Sequence, residues 1–353
     1  MTVTPPHRSA EAASQPAQAA PDRASLRQHL VTILLGWWLV GGLFLDGWAH
    51  NHSGEALESF FTPWHAVFYS GFAAVAGWSL WLASRGWRRG RRGLGALPEG
   101  YHLAALGVPL FALGGLGDLI WHTVFGIEVG IEALLSPTHL LLFAGAMLIL
   151  AAPLVAVWRA PTPRGTGGAR WVAVLSAASL LAVTAFMHMY LWGLLSAPQG
   201  VGYEQTRGEL SAVLLTALIL AAPVLLLLRR FQLPFGAIAL MYTVTNTGLT
   251  LMLAPGTWRL PLLSLACGLL GDALQVALRP SPARVWALRA FAVLLPLSVW
   301  VPFLGGTVRL GLSTISLELW LGVAVMAGLG GLALSVLVVP PPVPPEGEGP
   351  VES

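Results

Sequence analysis

The sequence predicts an all-α, polytopic membrane protein with about ten transmembrane helices. Three observations predict it. The chain is 56% hydrophobic and only 10% charged over 353 residues, whereas soluble domains carry about 25% charged residues. Its apolar residues come in runs of the roughly 20 residues that an α-helix needs to cross a bilayer. Its arginines alternate from loop to loop, as they do when successive helices reverse direction across a membrane.

Taken in order, the chain opens on a tail, 1–28, rich in Ala, Pro, Ser and Gln, a composition that reads as disordered. The first apolar run starts too late, and is followed by too many others, for a cleaved signal peptide. Spans are then expected over 30–49, 64–84, 102–124 and 137–158, and these form a first unit, 29–158. Six more follow, over 171–195, 210–228, 235–254, 260–279, 285–304 and 316–338, and form a membrane scaffold, 159–339. The last segment, 340–353, is a second disordered tail, "PPPVPPEGEGPVES".

Orientation follows from the basic residues, all 19 of which are arginine. The N-terminal tail and the loops after the second, fourth, sixth and eighth spans hold all of them but Arg207, Arg259 and Arg309. By the positive-inside rule both termini are cytoplasmic, and the protein belongs in the cell (inner) membrane. The basic pI does not imply nucleic-acid binding, because the arginines are dispersed over short interhelical loops. The single cysteine, Cys267, excludes an intrachain disulfide and a cysteine-based metal site. The expected partner is the lipid bilayer, with a small or lipid-like substrate possible and no oligomeric state implied.

The acidic residues and most histidines gather on the other side, and they are patterned. Residues 46–68 read "DGWAHNHSGEALESFFTPWHAVF" and residues 118–143 read "DLIWHTVFGIEVGIEALLSPTHLLLF". Each opens on Asp with His four residues later: Asp46 and His50, Asp118 and His122. Each then has an acidic loop, with Glu58 and Glu132 seven residues before the last His. Each closes on Ser/Thr-Pro-x-His, ending at His65 and His139. Spans one and two are therefore expected to form a parallel tandem repeat with spans three and four.

Residues i and i+4 share a helix face, so each Asp and its first His project together. Ser/Thr followed by Pro is a helix start, with the hydroxyl as N-cap and Pro in the first turn. His65 and His139 then lie in a first turn, where the helix dipole disfavours an imidazolium. Neutral imidazole is the form that binds metals. One carboxylate and two imidazoles make a ligand set for copper, zinc or iron. The two sets allow either two sites or one dinuclear site. Glu58 and Glu132 are the candidate catalytic or supporting carboxylates. A structural reading stands beside this one: Asp–His hydrogen bonds alone could join the helix ends.

Other signals are weaker. His188, within "MHM", is a candidate further ligand, whereas Met187 and Met189 are expected to be packing residues. His52 is a candidate solvent-facing extra. Asp272 echoes Asp118 without the histidine, and reads either as a polar link between helices or as an ion or proton site. The patch "TVTNTG" around Asn246 reads as interhelical hydrogen bonding.

The Asp-x3-His pattern with a downstream His resembles the copper-ligand motif in the C subunit of the membrane-bound methane and ammonia monooxygenases. The resemblance covers Asp46, His50, His65, Asp118, His122 and His139. It departs from that family in the longer gap to the last His, the doubling of the motif and the larger number of helices. It implies copper. Three functions follow as expectations: a copper oxidoreductase or copper-handling protein, a zinc-dependent intramembrane hydrolase acting on a lipid-like substrate, and a multi-pass transporter.

Overall fold

The computed structural model describes residues 22–52, 61–126, 130–161 and 166–341. It is an all-α membrane protein. Its helices are α1 (Leu26–His52), α2 (Pro63–Arg88), α3 (His102–Phe125), a short α4 (Ile131–Leu135), α5 (Pro137–Arg159), α6 (Gly167–Met187), α7 (Tyr203–Arg230), α8 (Ala237–Leu253), α9 (Arg259–Leu278), α10 (Val285–Arg309) and α11 (Leu317–Val338). Each expected span has its helix. Among the described residues nine are long and apolar enough to cross a membrane, while α8 is shorter. Large apolar side chains such as Leu34, Leu80, Leu113, Val124, Leu251 and Leu337 point outward from the bundle. Water would penalise such a surface; bilayer hydrocarbon does not.

Several boundaries differ from expectation; α7, for one, begins at Tyr203 rather than 210. Helix α1 begins at Leu26, inside the expected tail, where Asp22 pairs with Arg91 at 2.9 Å and with Arg89 at 3.2 Å. The fifth span, expected over 171–195, ends at Met187 and gives way to a 3-10 turn at Met189–Leu191. Apolar composition continues past the break, so hydropathy does not mark it.

The helices pack as antiparallel hairpins held by small residues. A Cβ on Gly42 of α1 would lie 2.6 Å from the Phe68 Cα of α2, and one on Gly71 of α2 would lie 2.7 Å from the Leu39 Cα of α1. The pair α3 and α5 is built the same way. A Cβ on Gly114 would lie 2.8 Å from the Leu142 nitrogen, and one on Gly145 would lie 2.6 Å from the Phe111 nitrogen. Only glycine permits backbones this close, and close approach is what drives helix association in lipid.

A smaller core joins these two hairpins to α6 through Leu39, Val40, Phe111, Ile149 and Val183. A larger one unites α6 to α11 around Val224, Leu225, Met241, Phe291 and Trp300. Buried polar residues of this second region serve the scaffold. Asp272 accepts hydrogen bonds from the Ile238 and Ala239 backbone amides at 3.2 and 3.0 Å, and so caps the start of α8. Asn246 accepts from Trp192 Nε1 at 3.1 Å and donates to the Leu260 carbonyl at 3.4 Å. Arg230 donates to the Trp158 and Ala160 carbonyls at the end of α5, at 3.1 and 2.6 Å.

Candidate metal centre

The hairpin glycines fix where two helix ends meet. Asp46 and His50 lie in the last two turns of α1, one turn apart on one face. His65 lies in the first turn of α2. Thr62 caps that helix, accepting from the His65 backbone amide at 3.1 Å, and Pro63 opens it. The second hairpin repeats the arrangement with Asp118 and His122 near the end of α3 and His139 in the first turn of α5. There Ser136 is the cap and Pro137 opens the helix.

Each trio converges. His50 Nε2 and His65 Nε2 lie 3.6 and 3.4 Å from Asp46 Oδ2. His122 Nε2 and His139 Nε2 lie 3.5 and 3.3 Å from Asp118 Oδ1. Within each trio the three donor atoms fall within 4.8 Å of one another, so each group could hold a metal ion. Four ligands disposed tetrahedrally around a metal, at bonds of about 2.0–2.2 Å, stand roughly 3.3–3.6 Å apart. The four Asp–His separations occupy that range.

The proton positions sharpen this. His122 Nδ1 lies 3.2 Å from the Gly126 carbonyl, which only accepts, so Nδ1 carries the hydrogen. Gly126 reaches this position at a positive φ, 81°, which glycine adopts without strain, at the C-terminus of α3. The Nε2 lone pair of a neutral His122 therefore faces a carboxylate oxygen. A metal ion between these two acceptors would offset their repulsion. Ser136 Oγ lies 2.8 Å from His139 Nδ1, and Thr138 Oγ1 donates to Asp118 Oδ1 at 3.1 Å. In the other trio Asp46 Oδ1 is buried without a hydrogen-bond partner among the described residues.

Both triads open on one cavity of about 760 Å³. It lies between the two hairpins and α6. Sequence reasoning missed several of its wall residues. Tyr69 and Phe143 stand four residues after His65 and His139, on the same helix faces, and that spacing could have found them. Tyr69 reaches across from α2 to α3, where a Cβ on Gly115 would come 3.3 Å from its hydroxyl oxygen.

The remaining candidates fall elsewhere. His188 belongs to neither triad, and its Nδ1 donates to the Thr184 carbonyl at 2.8 Å. Met187 and Met189, expected to be packing residues, line the cavity. Because α6 ends at Met187, side-chain directions inferred for a continuous helix do not apply to this tripeptide. His52 is exposed, stacks on Trp48 and donates from Nδ1 to the Trp48 carbonyl at 2.9 Å. Glu132 is exposed at the start of α4 and lies outside both triads. Glu58 lies outside the described residues. Compared with protein-family models, curated proteins and solved structures, the chain matches none.

Proposed function

We propose that this is a membrane metalloprotein that binds one transition-metal ion in each Asp-His-His triad and presents both ions to a shared cavity. The observation that carries the reading is the pair of triads, each with Asp–His separations of 3.3–3.6 Å, on one cavity wall. Three protein ligands leave a coordination position for water or substrate, which is the arrangement of a catalytic rather than a structural site. The duplicated motif, with its matching caps and hairpins, supports descent of the two halves from one tandem unit.

Copper is the metal favoured. Imidazole donors suit it, and it heads the affinity order of the divalent first-row metals. The Met187 and Met189 thioethers on the same wall are soft donors of the kind that suit the cuprous state. The resemblance to the copper monooxygenase C subunit points the same way. The role is then that of an oxidoreductase or a copper-handling protein. The arginine distribution supports a reading with both termini in the cytoplasm and the triad end on the extracytoplasmic side, from which metal would then arrive.

Metal analysis of the purified protein after reconstitution tests this. Two equivalents of copper per chain are expected, falling to one in Asp118→Ala and in Asp46→Ala. A chain that holds no metal at any ratio refutes the reading.

Zinc hydrolysis is the second reading, favoured by the match of the ligand separations to a tetrahedron. It predicts zinc retained in preference to copper and hydrolysis of a lipid-like ester or amide. The transporter reading, which rests on the helix number and the tandem repeat, loses one further support, because the buried Asp272 is engaged in capping α8.

A further inference from the structure

The cavity is chemically two-ended. Its carboxylates and imidazoles, the triads, lie at the mouth, where α1 and α3 end and α2 and α5 begin, with Tyr69 beside His65. Deeper in, the wall is hydrocarbon. Leu39 is seven residues inward of Asp46, Phe111 seven inward of Asp118, and Ala146 seven inward of His139. Seven helical residues rise about 10 Å. Three helices therefore place the floor at one depth, and Val183 of α6 completes it. These four residues are buried and line the cavity, so they bound the chamber at that depth.

Such a chamber is larger than metal binding requires. A metal ion and its water need only the mouth. Apolar cavities of this kind stay dry and take apolar guests. The volume lies within the range of small-molecule sites.

We infer that the ligand of this site is a straight-chain amphiphile, with a metal-coordinating oxygen head at the triads and an unbranched apolar tail of medium length in the chamber. The inference rests on the metal reading, which supplies the anchor for the head. The floor limits the tail. Chains shorter than the chamber leave it unfilled, and longer ones must bend or keep the head from the metal.

The test uses copper-loaded protein in nanodiscs, titrated with acetohydroxamate, octanohydroxamate and hexadecanohydroxamate and followed by the copper absorption band. Octanohydroxamate is expected to bind at least tenfold more tightly than acetohydroxamate, with hexadecanohydroxamate falling back, at equal free aqueous concentrations. Ala146→Leu, and the milder Val183→Ile, raise the floor. Both are expected to weaken octanohydroxamate binding while leaving copper content and acetohydroxamate binding unchanged. Affinity independent of chain length overturns the inference. So does affinity that rises steadily to the longest chain and ignores both substitutions, since that is bilayer partitioning. In either case the copper reading stands. A protein that holds no copper removes both.

Discussion

Asp118 accepts a hydrogen bond from Thr138 at 3.1 Å, and its side chain is 2% exposed; Asp46 has Trp64 at the corresponding place, and its side chain is 13% exposed with Oδ1 unpartnered among the described residues. The two triads share ligand types, spacing and helix caps, and differ in what holds the ligands. His139 has Ser136 Oγ at Nδ1, and His122 has the Gly126 carbonyl. Gly54 occupies the place of Gly126 in the first motif, but it lies outside the described residues. His50 is the exposed member of its trio. Groups behind a ligand set its orientation and basicity, and removing one typically costs about 10–100-fold in metal affinity. Identical ligand sets need not make equal sites: on the proposed metal reading, the Asp118 triad is expected to hold its ion more tightly than the Asp46 triad.

The largest test of that contrast removes an anchor. Asp118→Ala should abolish the tighter phase of a two-phase copper titration and leave the weaker one in place, whereas Asp46→Ala should do the reverse. Loss of both phases in either variant would mean a single dinuclear site.

Thr138→Val tests the support itself. The side chain keeps its shape and loses its hydroxyl, so the tighter phase should weaken by about 10–100-fold with stoichiometry unchanged. An unaltered isotherm would show that the hydroxyl does not set the difference.

The converse exchange, Trp64→Thr, offers Asp46 the hydroxyl it lacks. A hydrogen bond to a charged group contributes roughly 1.5–3 kcal/mol, and partial exposure of Asp46 reduces it. The weaker phase should therefore tighten by about tenfold, which brings the two phases together.

The smallest effects belong to the caps. Ser136→Ala and Thr62→Ala should each cost about 1 kcal/mol of stability by thermal unfolding. Ser136→Ala should also weaken metal binding, because Ser136 Oγ touches a histidine ring. Thr62→Ala, whose described hydrogen bond is from the His65 backbone amide, should leave the isotherm in place.

Much of this architecture was legible in sequence, for local reasons. Apolar run length set the ten helices. The four-residue spacing and the Ser/Thr-Pro starts placed Asp46, His50, His65, Asp118, His122 and His139 correctly, because helix periodicity and capping act within one or two turns. Helix α6 escaped the same reasoning. Its break at Met187 leaves the apolar run intact, so nothing in the sequence marks that Met187 and Met189, which pack against the core, also line the cavity. Thr138 was overlooked because a threonine two residues after a cap has no periodic signature.

What the sequence determined alone is therefore the membrane class, the number of helices and the identity of six candidate ligands, since all three depend on neighbours along the chain. The tertiary structure decided that these candidate ligands form two triads rather than one cluster, that both share a cavity with a hydrocarbon floor, and that Thr138 sets a hydroxyl behind Asp118 where Trp64 stands beside Asp46. Those outcomes depend on how closely α1 approaches α2 and α3 approaches α5. Glycines at 42, 71, 114 and 145 set those distances through contacts between residues 26–34 positions apart, a relation that no local pattern encodes.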